Sequence, residues 1–264
     1  MLGLDKPVLM RIVMFCVLGL GMFLWELRKP KRIWGHSRIR RLAINFFLGA
    51  VNFFLIRGIF SGGWMIFAAF VFREHWGLMS LTRMPVLFSV LLTILFLDLG
   101  IYLQHVMFHS LPVLWSFHMA HHSDLVFDFS TGIRFHPAEI LVSILYKCGL
   151  TLILGPLPIA VLIYEICLSS AALFNHGNVR MPAALDRALR RIVVTPDMHR
   201  VHHSTEKLET NSNFGNLFSF WDIFCGTYRP EPHLGQMGVK IGLAEYRDPR
   251  LLGLIRVLSL PFVD

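Results

Sequence analysis

The run from Val8 to Trp25 is apolar except for Arg11, and comparable runs recur at Leu42 to Phe60, Pro85 to Leu103 and Ile140 to Phe174. Stretches of this length match the roughly 20 helical residues needed to cross a hydrocarbon core of about 30 Å. Inside a bilayer every peptide N–H and C=O must be bonded within the segment, so such runs form helices. The balance of residues agrees, with 55% hydrophobic and 16% charged side chains in 264 residues. A soluble globular domain has nearer 25% charged residues. The four cysteines contain no C-x-x-C pair, which argues against a disulfide framework or an iron–sulfur site.

These runs define an all-α integral membrane protein. Val8 to Trp25 lacks a small-residue cleavage site and is followed by basic residues, so it reads as an uncleaved spanning helix, not a signal peptide. Arg28, Lys29, Lys31, Arg32, Arg38, Arg40 and Arg41 cluster after it and account for much of the +8 net charge. That clustering marks a cytoplasmic flank, puts the N-terminus outside, and removes the reason to invoke nucleic acid. Leu42 to Phe60 then returns outward, with Asn45 and Asn52 on one face for bonding between helices. Trp64 to Phe72 is too short to cross and is expected to be interfacial or re-entrant.

Pro85 to Leu103 crosses inward. Gly155-Pro156-Leu157-Pro158 interrupts the last run and reads as the tip of a helical hairpin, because proline disrupts helix interiors. The expected architecture is three spanning helices plus a helical hairpin, with a cytoplasmic histidine-rich cap. Residues 1–84 carry the N-terminal membrane helices and basic loop, 85–230 the histidine-rich membrane domain, and 231–264 a tail with an amphipathic helix at Leu251 to Leu260. Lys147 and Glu165 lie at nearly equal depth on the two arms of the hairpin, which predicts an ion pair between them.

Thirteen histidines are present, and their spacing carries the chemistry. Asp98 to His122 contains His105 and His109 at i and i+4, then His118, His121 and His122; Pro196 to Ser204 repeats that second pattern with His199, His202 and His203. Each set shares one face of a helix. Neutral imidazoles ligate zinc, copper, iron and nickel, so the pattern points to a transition-metal site, and eight histidines exceed what one ion takes. The zincin pattern His-Glu-x-x-His is absent, with Val106 in the glutamate position. Asp98 and Tyr102 precede His105 on the same stripe of helix, and Asp98 is expected to orient an imidazole N–H. His36, His75 and His233 lie outside every cluster.

The boxes H-V-M-F-H, H-M-A-H-H and H-R-V-H-H resemble those of the fatty acid hydroxylase/sterol desaturase superfamily of membrane di-iron oxygenases. R-F-H-P-A-E at 134–139, F-N-H-G-N at 174–178 and the stretch 213–228 extend the resemblance over residues 86–230. Val106 departs from it, since the first box commonly has arginine there. The resemblance implies that His105, His109, His118, His121, His122, His199, His202 and His203 are metal ligands, with His176 as a ninth. It implies two iron ions, O2 as cosubstrate, and electrons from a separate cytochrome b5-like or ferredoxin-like carrier. It also implies hydroxylation or desaturation of a hydrophobic substrate such as a fatty acyl chain or sterol. His136 remains open between ligand and structural residue, and Asn213, Trp221 and Asp222 are expected to pack the cap. A metal transporter and a non-catalytic metal- or lipid-binding relative are the competing classes; the transporter would place its ligands near mid-membrane, and the relative would lack part of a box.

Overall fold

The computed structural model describes residues 6–33, 38–59, 63–82 and 84–263; His36 lies outside them. The described residues form α-helices, short 3₁₀ turns and isolated bridges. The long helices are α1 (Lys6–Arg28), α2 (Arg38–Ile59), α3 (Gly63–Arg73), α4 (Val86–Ser110), α5 (Pro112–His122), α6 (Pro137–Leu154) and α7 (Pro158–Asn175). Short helices follow as α8 (Ala183–Leu189), α9 (Pro196–His202), α10 (Lys207–Thr210), α11 (Phe220–Phe224), α12 (Gly235–Gly238) and α13 (Leu254–Ser259).

Five segments are long and apolar enough to cross a membrane: α1, the Arg38–Leu81 stretch containing α2 and α3, α4, α6 and α7. The chain is a multi-pass membrane protein. α3 has 11 residues and falls short of the bilayer's thickness alone, as expected. The helix break falls at the expected place. α6 ends at Leu154, Gly155 takes a left-handed conformation (φ 61°) that glycine adopts without a Cβ clash, and α7 begins at Pro158.

The helices meet in two ways. Trp64, Leu97, Ile144, Val161 and Tyr164 form an apolar core between α3, α4, α6 and α7. Polar side chains tie the helices to the loops near the histidines. Buried Glu26 on α1 accepts from the backbone N–H of Phe129 (2.8 Å) and Asn178 (2.9 Å). Asn45 bonds Ser130 Oγ at 2.9 Å, and Asn52 bonds the Phe135 carbonyl at 3.0 Å. Their partners are therefore in the 124–135 loop, where the sequence pattern predicted another helix. Lys31, Arg38 and Arg41 of the basic loop pair with Asp197, Glu26 and Asp124. The basic loop and the histidine clusters consequently share one end of the bundle.

The expected Lys147–Glu165 pair is not what forms. Glu165 accepts from Arg11 of α1 at 2.7 Å, and the Lys147 ammonium stands 5.4 Å over the Trp64 ring. Depth matched the two arms of the hairpin, but α1 packs against α7 and brings its own cation to the carboxylate.

Candidate metal centre

α4 delivers His105 and His109 in its last two turns, and α5 follows after a proline-initiated turn with His118, His121 and His122. His176 is the residue that caps α7. α9 starts at a Thr195 N-cap with Pro196 in its first turn, which sets His199 and His202 inward and leaves His203 at its C-cap. All nine histidines expected as ligands come together, in two groups. His105, His109, His118, His122 and His202 form one; His121, His176, His199 and His203 form the other. In each group the candidate ligand atoms lie within 4.8 Å of one another.

Hydrogen bonds fix the tautomers. The Nδ1 atoms of His105, His202 and His176 donate to the carbonyls of Phe214 (2.7 Å), Ser212 (2.8 Å) and Ala172 (2.7 Å). His121 Nδ1 donates to the Arg134 carbonyl at 3.2 Å, and His118 Nδ1 meets Glu139 Oε1 at 2.7 Å. A carbonyl only accepts, so Nδ1 carries the proton and Nε2 is a bare lone pair in the neutral ring. In the first group all five Nε2 atoms are buried without a partner. In the second, His176 Nε2 lies 3.1 Å from His121 Nε2, 3.1 Å from His199 Nε2 and 3.2 Å from His203 Nε2. The His121–His176 contact therefore opposes two lone pairs. A cation between them resolves that repulsion, and 3.1 Å is the spacing of neighbouring nitrogens bound to one ion at about 2.1 Å. The donor set fits two metal ions.

Burial, followed by the neighbouring imidazoles, pushes His121, His122, His199, His202 and His203 well below the ordinary histidine value. His176 falls to about 4 for the same leading reason. Neutral rings are the form that ligates metal.

The surrounding residues explain the 134–139 motif. Arg134 is buried and donates to the Ala120 carbonyl, Asn45 Oδ1 and Ser123 Oγ, while its own carbonyl holds His121. His136 Nδ1 accepts from the Ala138 N–H and caps α6, and its Nε2 meets the Leu258 carbonyl at 3.2 Å; it is outside both groups. Glu139 is the carboxylate that reaches an imidazole. Asp98 is not: its oxygens accept from Tyr164 Oη, the Phe218 N–H and Trp221 Nε1, and so hold the 213–228 segment against α4. Tyr102 bonds Thr227 at 2.9 Å, also one step removed from the histidines. The sequence spacing put both on the right stripe of α4, but a different element lies opposite them. Asn213 and Asp222 tie the same segment together, as expected of packing residues.

A cavity of about 240 Å³ opens onto both groups, touching His105 and His118 of one and His121, His176 and His199 of the other. It is walled by apolar side chains such as Phe15, Ile101, Phe108 and Leu168.

The sequence model of the fatty acid hydroxylase family matches residues 90–227, the stretch that holds every one of these histidines. The chain belongs to the fatty acid hydroxylase family. Among its relatives, the ornithine lipid hydroxylase OlsE of Rhizobium tropici is 32% identical over 182 residues, 67% of this chain and 51% of that protein. The alkylglycerol monooxygenase of Homo sapiens is 28% identical over 139 residues, 51% of this chain and 29% of that one. Cholesterol 25-hydroxylase of Rattus norvegicus is 26% identical over 147 residues, 54% of this chain and 48% of that one. This fatty acid hydroxylase family member thus spans about half the length, or less, of those three relatives. No solved structure matches it.

Proposed function

We propose that the protein is a membrane-bound, di-iron, O2-dependent oxygenase that hydroxylates a C–H bond of a hydrophobic lipid. The observation that carries this reading is the pair of buried imidazole groups, with bare nitrogens, at the end of an apolar cavity. His105, His109, His118, His122 and His202 would hold one iron, and His121, His176, His199 and His203 the other. Iron so bound supplies the activation of O2 and the oxidant for an unactivated C–H bond. The chain's own part is to position and exclude. The Phe214, Ser212, Ala172 and Arg134 carbonyls and Glu139 hold protons on Nδ1 so that Nε2 faces inward. The apolar wall admits a chain from the bilayer and keeps water out.

Hydroxylation is favoured over desaturation because the named relatives are hydroxylases and monooxygenases. A fatty acyl chain or sterol is the substrate class, and electrons come from a separate cytochrome b5-like or ferredoxin-like carrier. The histidine end faces the cytoplasm, a reading supported by the basic loop at that end. The test is metal analysis of the purified protein, then incubation of membranes with a reductase system and ¹⁸O2. The expected result is two irons per chain and a lipid product carrying one ¹⁸O atom. Undiminished turnover in a chain with both His121→Ala and His202→Ala would overturn the assignment.

A further inference from the structure

The segment 211–228 follows α4 step by step. Asn211 Oδ1 meets His109 Nδ1 (3.3 Å), and the Phe214 carbonyl meets His105 Nδ1 (2.7 Å). The Phe218 N–H (3.1 Å) and Trp221 Nε1 (3.0 Å) then reach Asp98, and Thr227 returns to Tyr102 (2.9 Å). From His109 to Asp98 is about 16 Å at 1.5 Å per helical residue, so the segment runs down half of α4 and turns back. Asp98 lies near the middle of a helix long and apolar enough to span the membrane. The levels on either side of it are lipid-facing, with Phe96 44% and Leu103 45% exposed.

The chemistry of the segment suits that depth. Asp222 is its sole charged residue, and it is buried, accepting from the Phe214 and Gly215 N–H groups and Thr227 Oγ1. At the tip, Phe224 is 78% and Ile223 51% exposed, beside stacked Phe218 and Phe220. Ile192 continues this apolar face, since its carbonyl binds the Ser219 N–H. Non-helical backbone survives in hydrocarbon only when its polar groups are bonded. Here the Leu217 carbonyl accepts from Val194 N–H, and the Thr227 and Tyr228 N–H groups donate to the Asp222 carbonyl. Arg191 adjoins Ile192 beside the tip and Arg229 follows Tyr228, and side chains of this length carry their charge toward lipid phosphates while the stems stay in apolar surroundings.

We propose that residues 211–228 form a re-entrant loop whose tip, residues 217–225, is immersed in the acyl region of the bilayer. The partner is the lipid itself. Aromatic side chains at the tip replace lipid volume beside α4, and the base of the loop supplies the acceptors that hold His105, His109 and His202. One segment therefore couples membrane contact to the placement of three histidines.

Cys225, exposed at the tip, gives a direct test. A nitroxide is attached there in a chain carrying Cys16→Ser, Cys148→Ala and Cys167→Ala, reconstituted in phosphatidylcholine–phosphatidylglycerol vesicles. Power saturation is measured with O2 and with a water-soluble nickel chelate. The expected result is access to O2 and exclusion of nickel, as for a label at Leu91→Cys on the lipid-facing side of α4, whereas Lys207→Cys is open to nickel. Nickel access at 225 equal to that at 207 overturns the proposal. So does shielding from both reagents, which would mean that a second copy or another protein covers the tip. A second measurement keeps the native cysteines: alkylation of Cys225 in membranes by a charged, water-soluble maleimide, read by mass spectrometry, is expected to be about tenfold or more slower than that of Lys207→Cys, because the reagent stays in water. Equal rates would sink the idea.

Discussion

Glu139 sits 2.7 Å from His118 Nδ1, with both side chains buried, and it lies on a different helix from the ring it orients. A carboxylate on the far nitrogen of a ligating imidazole fixes the ring's orientation and raises its basicity, an effect worth about 10- to 100-fold in metal affinity. Glu139→Gln is expected to leave the fold intact and to speed metal loss to a chelator by about that factor. Metal retention equal to wild type would show that the contact does not govern binding. The spacing of histidines in the sequence picked out eight of the nine members of the two groups, because ligands on one helix face repeat at three and four residues, and His176 came from the family resemblance alone. It did not name Glu139, whose partner is 21 residues away on another helix. The intramembrane acid rule pointed to Asp98 instead; that residue is indeed paired, but with Tyr164, Trp221 and a backbone N–H.

The same histidines set a pH dependence. In the folded chain His121, His122, His199, His202 and His203 titrate well below the ordinary 6.5, and His176 at about 4, so between those limits the unfolded chain binds protons that the folded one refuses. Stability is therefore complete above pH ~6.5 and falls as pH drops toward ~4. Metal-free protein in detergent is expected to show a lower melting temperature at pH 5.5 than at pH 7.5. An unchanged or higher value at pH 5.5 would contradict the burial of neutral rings.

At the scale of elements, the break between α6 and α7 was readable because Gly155 and Pro158 stop and restart a helix by local rules. Which cation meets Glu165 was not, because it depends on the packing of α1 against α7. The Arg11–Glu165 pair is partly buried, and a lone charge in a spanning helix costs on the order of 2.5–3.5 kcal/mol on insertion scales. Arg11→Met and Glu165→Gln are each expected to lower folded yield in detergent, while the double change recovers most of it. Additive losses would mean that the two side chains act independently. Lys147→Met is expected to couple to Glu165 more weakly than Arg11→Met does, since its ammonium rests on Trp64 and forms no direct ion pair with the carboxylate. The loop at 124–135 was hidden from sequence reasoning for a similar reason: Asn45 and Asn52 announced a polar face on α2, and only the fold reveals that a loop fills it.

At the scale of the molecule, one end of the bundle gathers the basic loop, the 124–135 loop and both histidine groups, joined by Lys31–Asp197 at 2.7 Å and Arg41–Asp124 at 2.8 Å. Asp197 is two residues from His199, so Lys31, Arg41 and α9 stand on the same side of any membrane that α1 crosses. The charge bias of that loop supports the proposal that this side is the cytoplasmic one. Labelling of Lys29→Cys and Lys207→Cys with an impermeant maleimide in intact cells tests both steps at once. Neither is expected to react until the membrane is permeabilised, and then both should. Reaction of both in intact cells would invert the orientation while preserving the fold. Reaction of one alone would break the link between the loop and the histidine end, and with it the five-helix path that brings the boxes together.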